Sequence, residues 1–243
     1  MSPNDRAPDV LVSHYGSGDA VRSRSVSTIV RSGTVDVPTP PAWLAAHWAR
    51  ETATTLAPGD VDTLPLARTR MRWPAYRQAV QAAARWTGAI GLGDLLASCD
   101  VALMACRGAR YHHDGALYAG AAFCNLFLSE DQAFDVHFPG TGDRIPLTRG
   151  TVLVFDTCQP HAVIRRSNSS QGGFDAADFA GTDCTQVFLT WELPIEDARV
   201  AQALKINFDV VPVIGPMIDE EQVRVNGAVA TVCTASGRWC VAG

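Results

Sequence analysis

The chain has 243 residues, 47% of them hydrophobic and 19% charged, with a formal net charge of -5. That is enough apolar material for one substantial core, and the length suits a single domain spanning 1–243. The acidic balance argues against a nucleic-acid partner, which demands a basic face, and no apolar run is long enough for a membrane helix, so neither nucleic acid nor a bilayer is expected as a partner.

Residues 1–40 are polar and end in the run Val37-Pro38-Thr39-Pro40-Pro41. They read as a loose or draped arm whose pieces 27–30 and 35–37 can add to a sheet edge. No apolar h-region opens the chain, so no secretory signal is expected. The seven cysteines are an odd number with irregular spacing and no CxxC pair, which suits free thiols in a reducing cytoplasm.

Residues 41–100 form a helical section. Trp43, Leu44, His47 and Trp48 fall at helical offsets in 42–52. Pro74 opens a second helix, with Tyr76, Val80, Ala83 and Trp86-Thr87 as its stripe before Gly88. A third, short helix covers 93–98. From Val101 the pattern turns to short apolar segments punctuated by Gly, Pro and Asp, with strands expected at 101–106, 110–114, 120–128, 133–138, 143–146, 151–156, 161–166 and 185–192. Eight segments at this spacing indicate an antiparallel sandwich or barrel over 101–193. The stretch 167–183 is a long polar loop of the kind that is functional or mobile. After Pro194 a helical turn precedes three strands at 221–225, 228–233 and 238–241. Asn226-Gly227 and Ser236-Gly237 join them, and 194–243 reads as an extension ending in a β-meander.

The segment that carries chemistry is Arg110-Tyr111-His112-His113-Asp114-Gly115. In a strand, residues two apart share a face, so His112 and Asp114 converge while His113 points away. An imidazole and a carboxylate are two ligands of a facial triad that leaves coordination positions open. His161 supplies the third, since it opens an apolar segment after the buried strand of Thr151–Asp156.

These residues, with 106–114, 123–129, Gly150–Phe155 and His161-Ala162-Val163, resemble the 2-oxoglutarate/iron(II) dioxygenases, and within them the prolyl-hydroxylase-like branch. The resemblance covers about residues 101–193. It implies a mainly β fold with flanking helices around a double-stranded β-helix (jelly-roll, cupin-like) core. It also implies iron(II) held by His112, Asp114 and His161, with 2-oxoglutarate and O2 as co-substrates, attack on an unactivated C–H bond, and stimulation by ascorbate. Tyr111 and Asn125 stand where that family places co-substrate contacts.

One departure matters. The family sets Arg or Lys six residues before an aromatic on the last core strand, to pair with the distal carboxylate of 2-oxoglutarate; six before Trp191 is Thr185. A hydroxyl is a weaker carboxylate anchor than a guanidinium fork. Strand alternation from His161 selects Arg165 as the substitute and turns Arg166 outward. The expected substrate is a small polar molecule such as a free or carrier-linked amino acid. A protein or peptide hydroxylase is the second reading. A non-catalytic cupin-like metal- or ligand-binding protein is the third, although the HxH signature of cupins is absent.

Overall fold

The period-2 patterning downstream of residue 100 resolves into two facing antiparallel sheets in a computed structural model that describes residues 10–167, 173–180, 184–211 and 222–241. In chain order, the hairpin β1 (Leu11–Ser17) and β2 (Ala20–Ser25) comes first, followed by β3 (Arg31–Thr34). The helical section holds α1 (Ala42–Thr55), β4 (Val61–Leu64), α2 (Leu66–Arg72) and α3 (Tyr76–Ala89). The core then runs through β5 (Val101–Cys106), β6 (Ala109–His112), the helical turn α4 (Gly115–Tyr118) and β7 (Ala121–Phe127). It continues through β8 (Phe134–Phe138), β9 (Asp143–Pro146), β10 (Thr151–Asp156), β11 (His161–Arg165) and β12 (Gln186–Pro194). Beyond it lie α5 (Ala198–Leu204), β13 (Gln222–Val225), β14 (Ala228–Val232) and β15 (Trp239–Val241).

One sheet has the order β3-β10-β7-β12-β5-β4 and the other β6-β11-β8-β9. Of the eight strands β5 to β12, four lie in each sheet; successive strands change sheet except at the β8–β9 hairpin, with the first strand beside the last and the second beside the seventh. That order is the jelly roll. All eight core segments expected from the sequence are strands. β6, however, ends at His112, and Asp114 begins the turn α4 with φ -94 and ψ 0.

Alternation along β12 shows how the core is divided. Val187, Leu189, Trp191 and Leu193 join Leu103, Leu126 and Val154 on the outer face of the larger sheet, against Leu44 and Trp48 of α1, Ala79 and Ala83 of α3, and Leu204 of α5. Phe188 points the other way, into a second cluster with Phe127, Phe134, Val136, Leu153 and Phe155 between the sheets. The outer face of the smaller sheet carries Tyr111, Ala162 and Ile164, covered by Phe174 and Val232. No described helix is long and apolar enough to cross a membrane.

The described part of the N-terminal arm is more ordered than its polarity suggests. β1 pairs with β2 and with β13, so the first and last parts of the chain share a five-stranded sheet, β15-β14-β13-β1-β2. The Asn226-Gly227 turn has positive φ at both residues, the requirement of a type I′ hairpin. Glu221, the first residue of the expected meander, lies outside the described residues, as do 168–172 and 181–183 of the polar loop. The strand of the arm that joins the core, β3, falls between the two pieces expected and pairs with β10.

What holds the arm down is a buried charge. Arg24 is fully buried, and its guanidinium donates to both carboxylate oxygens of Asp156, at 2.7 and 2.8 Å. It also donates to the carbonyl of Ala119 at 2.8 Å. Asp156 accepts further hydrogen bonds from the backbone N–H groups of Ser27 and Cys158. Such a pair is tolerated inside only when its remaining hydrogen-bonding capacity is met. Replacing Arg24 by Met leaves Asp156 buried without a counter-charge and is expected to cost about 3–5 kcal/mol, read as a lowered urea midpoint. Replacing the half-exposed Arg22 should change the midpoint far less.

Candidate metal centre

His112 and His161 come together because β6 and β11 are neighbours and these two residues are directly paired in register. Their ring centroids are 4.4 Å apart. Asp114 reaches the same point from the first turn beyond β6. Its carboxylate oxygens lie 3.6 Å from Nε2 of His112 and 3.6 Å from Nε2 of His161. One donor atom from each residue falls within 4.8 Å of the other two, and theirs is the cluster of metal-ligating type found among the described residues.

The surroundings orient the donors. The Nδ1–H of His112 donates to the carbonyl of Arg110 at 2.7 Å, and that of His161 to the carbonyl of Gln159 at 3.0 Å. A backbone carbonyl on Nδ1 fixes the tautomer and leaves the Nε2 lone pair facing the centre. Burial, followed by the neighbouring His112, holds the His161 pKa down at about 3, so its imidazole is neutral and able to ligate. Burial pushes the Asp114 carboxyl above its ordinary range, opposed by His112 and His113; a cation at this point favours the carboxylate form. The backbone N–H of Asp114 donates to the carbonyl of Thr157 at 2.8 Å. Gly115 allows the close approach: a Cβ there would lie 2.4 Å from Sγ of Cys158.

The three donors lie on the wall of a cavity of about 410 Å³ between the sheets. Its apolar wall includes Met104, Phe127, Leu153, Val163 and Phe188, and its mouth includes Asp100, Tyr118 and Glu192. Asn125 and Thr190, paired across β7 and β12, face it with Oδ1 and Oγ1 unpartnered. Among the described residues that line it, none is Arg or Lys.

The other residues singled out from the sequence divide. Asn125 is in the cavity. Tyr111, one residue before His112, faces the outer side of the smaller sheet, where its hydroxyl meets Nδ1 of His137 at 2.6 Å; it does not line the cavity. Thr185 also lies elsewhere. It shares parity with Val187, Leu189 and Trp191 on the outer face, and its hydroxyl is 2.8 Å from that of Thr52 on α1. Counting back from Trp191 fails because Trp191 points into the helical layer and not into the barrel. Arg165 has the expected parity but sits past the cavity floor. Its guanidinium lies over the Phe134 ring and 3.3 Å from the Asp178 carboxylate. Arg166 faces out, bound to Asp131 and Asp135. His113 stacks toward Trp239, with centroids 5.1 Å apart. Thr190 and Glu192 were not singled out, yet the alternation Val187-Leu189-Trp191 against Phe188-Thr190-Glu192 is the signal that places them inside.

No family model matches the chain, and no curated protein matches its sequence. Among solved structures, the viral collagen prolyl hydroxylase of Paramecium Bursaria Chlorella virus-1, as its 2OG complex, aligns at 8% identity and a TM-score of 0.42, covering 68% of this chain and 94% of that one. A prolyl-4-hydroxylase of Pseudomonas putida aligns at 14% identity and 0.34, covering 70% and 93%. The non-heme alpha ketoglutarate dependent epimerase SnoN from nogalamycin biosynthesis aligns at 12% identity and 0.32, covering 67% and 78%.

Two imidazoles and one carboxylate converging from one side are the donor set of a divalent first-row metal with open positions. His112→Ala, Asp114→Ala and His161→Ala should each lower bound iron(II) or manganese(II) to a small fraction of one equivalent, with an unchanged circular dichroism spectrum. Tyr111→Phe and Thr185→Ala should retain full metal content. Metal analysis after gel filtration separates the two groups.

Proposed function

We propose that the protein is a non-haem iron(II) oxygenase that uses 2-oxoglutarate and O2 and hydroxylates a small polar molecule carrying an amino group, such as a free or carrier-linked amino acid. The observation that carries the reading is the His112–Asp114–His161 donor set on the wall of a closed-floored cavity large enough for a co-substrate and a small substrate. The donor set suits iron(II), with His112 and His161 ligating through Nε2 and Asp114 through a carboxylate oxygen. When bound, iron and the 2-oxo acid supply the oxidation: one oxygen atom of O2 goes to the co-substrate, which loses CO2, and the other to a C–H bond, which becomes C–OH.

The chain's own part is positioning and exclusion of water. Phe123, Phe155 and Phe138 form an aromatic wall beside the centre, with Phe155 and His161 centroids 4.9 Å apart. The carbonyl hydrogen bonds to both imidazoles hold the ligand geometry in the absence of substrate. At the mouth, Asp100, the residue before β5, and Glu192 on β12 lie one step beyond the Val101–Trp191 pair. Both are exposed and neither has an ion-pair or hydrogen-bond partner among the described residues. Like charges set side by side across two strands repel, and a substrate ammonium group between them relieves that repulsion. This supports an amino-bearing substrate.

The test is release of the decarboxylated co-substrate, with iron(II) and ascorbate, across amino acids, their carrier esters and peptides. Turnover coupled to amino-bearing small molecules is expected, and the Asp100→Asn, Glu192→Gln double variant should raise their KM about tenfold or more while kcat changes little. Metal binding with no coupled turnover of any compound would sink the oxygenase reading, whereas turnover of peptides alone would move the substrate class.

A further inference from the structure

The chain is acidic overall, but its charge is unevenly spread. Residues 63–93 contain five arginines and no Asp or Glu, while all 25 acidic residues lie elsewhere in the chain. Three of the five, Arg68, Arg70 and Arg72, are on α2, and Arg77 is in the first turn of α3. None of these four pairs with a carboxylate among the described residues. Glu51 of α1 meets Nδ1 of His47 at 3.6 Å instead.

Ring contacts hold the arginines on one face. The Arg68 guanidinium meets Nε2 of His47 at 3.4 Å, and that of Arg72 lies 6.0 Å from the centroid of the Trp43 ring. Residues 68 and 72 are one helical turn apart, as are 43 and 47, so α2 lies alongside α1 through these two pairs. Arg70 lies over the Tyr76 ring at 5.5 Å and shares with Arg77 a recess of about 530 Å³ floored by Pro74 and Tyr76. Two large apolar side chains stand exposed among the charges, Met71 at 77% and Trp43 at 51%. A face built only to be solvated intersperses charges of both signs. Here one sign is combined with exposed Trp and Met, which with Arg are the side chains enriched where proteins meet.

The position of the face narrows the partner. β4 pairs antiparallel with β5, Leu64 opposite Leu103, so it ends on the Asp100 side of the sheet, and α2 starts two residues later. The face therefore borders the cavity mouth with its exposed Asp100 and Glu192, and the exposed Asp62 precedes it on β4. An extended polyanion or an anionic lipid surface covers more than this face and brings its charge against those carboxylates, where like charges oppose binding. A folded partner with a compact acidic patch meets the arginines without that repulsion.

We infer that the face formed by α1, α2 and the start of α3 docks a partner protein through a compact acidic patch, with Trp43 and Met71 as the apolar part of the contact. Seated there, the partner lies beside the opening of the cavity. Neither the metal centre nor the oxygenase reading enters this assignment, so each holds or fails independently of the other.

The experiment is fluorescence anisotropy of the full-length protein at low salt with four probes: a synthetic helical peptide with Glu on one face and Leu on the other, its Gln-for-Glu counterpart, single-stranded oligothymidylate, and phosphatidylglycerol vesicles. Saturable binding of the acidic peptide is expected, tighter than that of the other three and weakened by added salt. The Arg70→Glu, Arg72→Glu double variant should bind the peptide about tenfold or more weakly, and Trp43→Ser, Met71→Ser should weaken it severalfold. Arg224→Gln, on the remote β13, should leave it within about twofold. Unchanged affinity in the charge-reversed variant, with circular dichroism unchanged, overturns the inference, as does a wild-type protein that does not bind the acidic peptide. Tighter binding of the oligonucleotide or the vesicles also overturns it and assigns the face to nucleic acid or lipid; that wild-type ranking decides even if a variant fails to fold.

Discussion

The ion pair between Arg24 and Asp156 is the interaction on which the arrangement of the candidate metal ligands depends, although it touches none of them. Asp156 ends β10, and the four residues after it turn the chain between sheets to deliver His161. The carboxylate fixes that corner by accepting from Arg24 twice and from the Cys158 N–H. Thr157, next in the corner, accepts the Asp114 N–H on its carbonyl and donates its hydroxyl to the carbonyls of Tyr118 and Ala121. Both non-adjacent ligands are therefore anchored to one corner, and the corner is anchored to the N-terminal sheet. Arg24 itself donates to the carbonyl of Ala119 just beyond α4, which closes the loop of constraints around Asp114. A buried pair with every oxygen used costs desolvation but admits one arrangement, which is the property a preorganised ligand set requires.

This coupling explains the unexpected order of the described part of the N-terminal arm, residues 10–40. A polar arm has little apolar surface with which to fold, and composition alone predicts a loose segment. Its docking comes from a few specific contacts: Arg24 in the corner, Tyr15 buried with its hydroxyl on Glu196, and the β1–β13 pairing with a strand more than two hundred residues away. Pairings of that sequence separation leave no local signature. The meander was legible because Asn226-Gly227 is a local signal, but its partner strand was not.

The core was legible for the converse reason. Period-2 alternation and turn residues are local, and they located all eight jelly-roll strands to within a residue or two at each end. Convergence of His112 and Asp114 was also legible, though by a route that differs in detail. Asp114 is not in the strand; it reaches the site from the opening of α4, which Gly115 permits by lying against Cys158. The facing and depth of the residues expected around a co-substrate were the least legible part. Tyr111 was drawn in by its place next to His112, yet adjacent strand residues face opposite ways. Thr185 depended on the facing of Trp191, which only the helical layer decides. Arg165 had the right parity but the wrong depth, and depth depends on where the aromatic floor of Phe134 and Phe179 closes.

The charges at the cavity mouth also bear on how the proposed ligands share the space. Asp100 and Glu192 at the mouth favour a cationic substrate group there and oppose an anionic tail, so the 2-oxo acid is directed inward and the substrate outward by the same two charges. Coulomb interactions of exposed carboxylates are screened beyond about 8 Å at physiological ionic strength, so this sorting acts on groups at the mouth. Deeper in, Met104, Phe127 and Phe188 supply apolar wall, while Asn125 and Thr190 supply polar atoms. The three candidate ligands and the walls are thus separable: backbone hydrogen bonds and a buried ion pair position the donors, and the inward-facing positions of β5, β7 and β12 set what lies beside them.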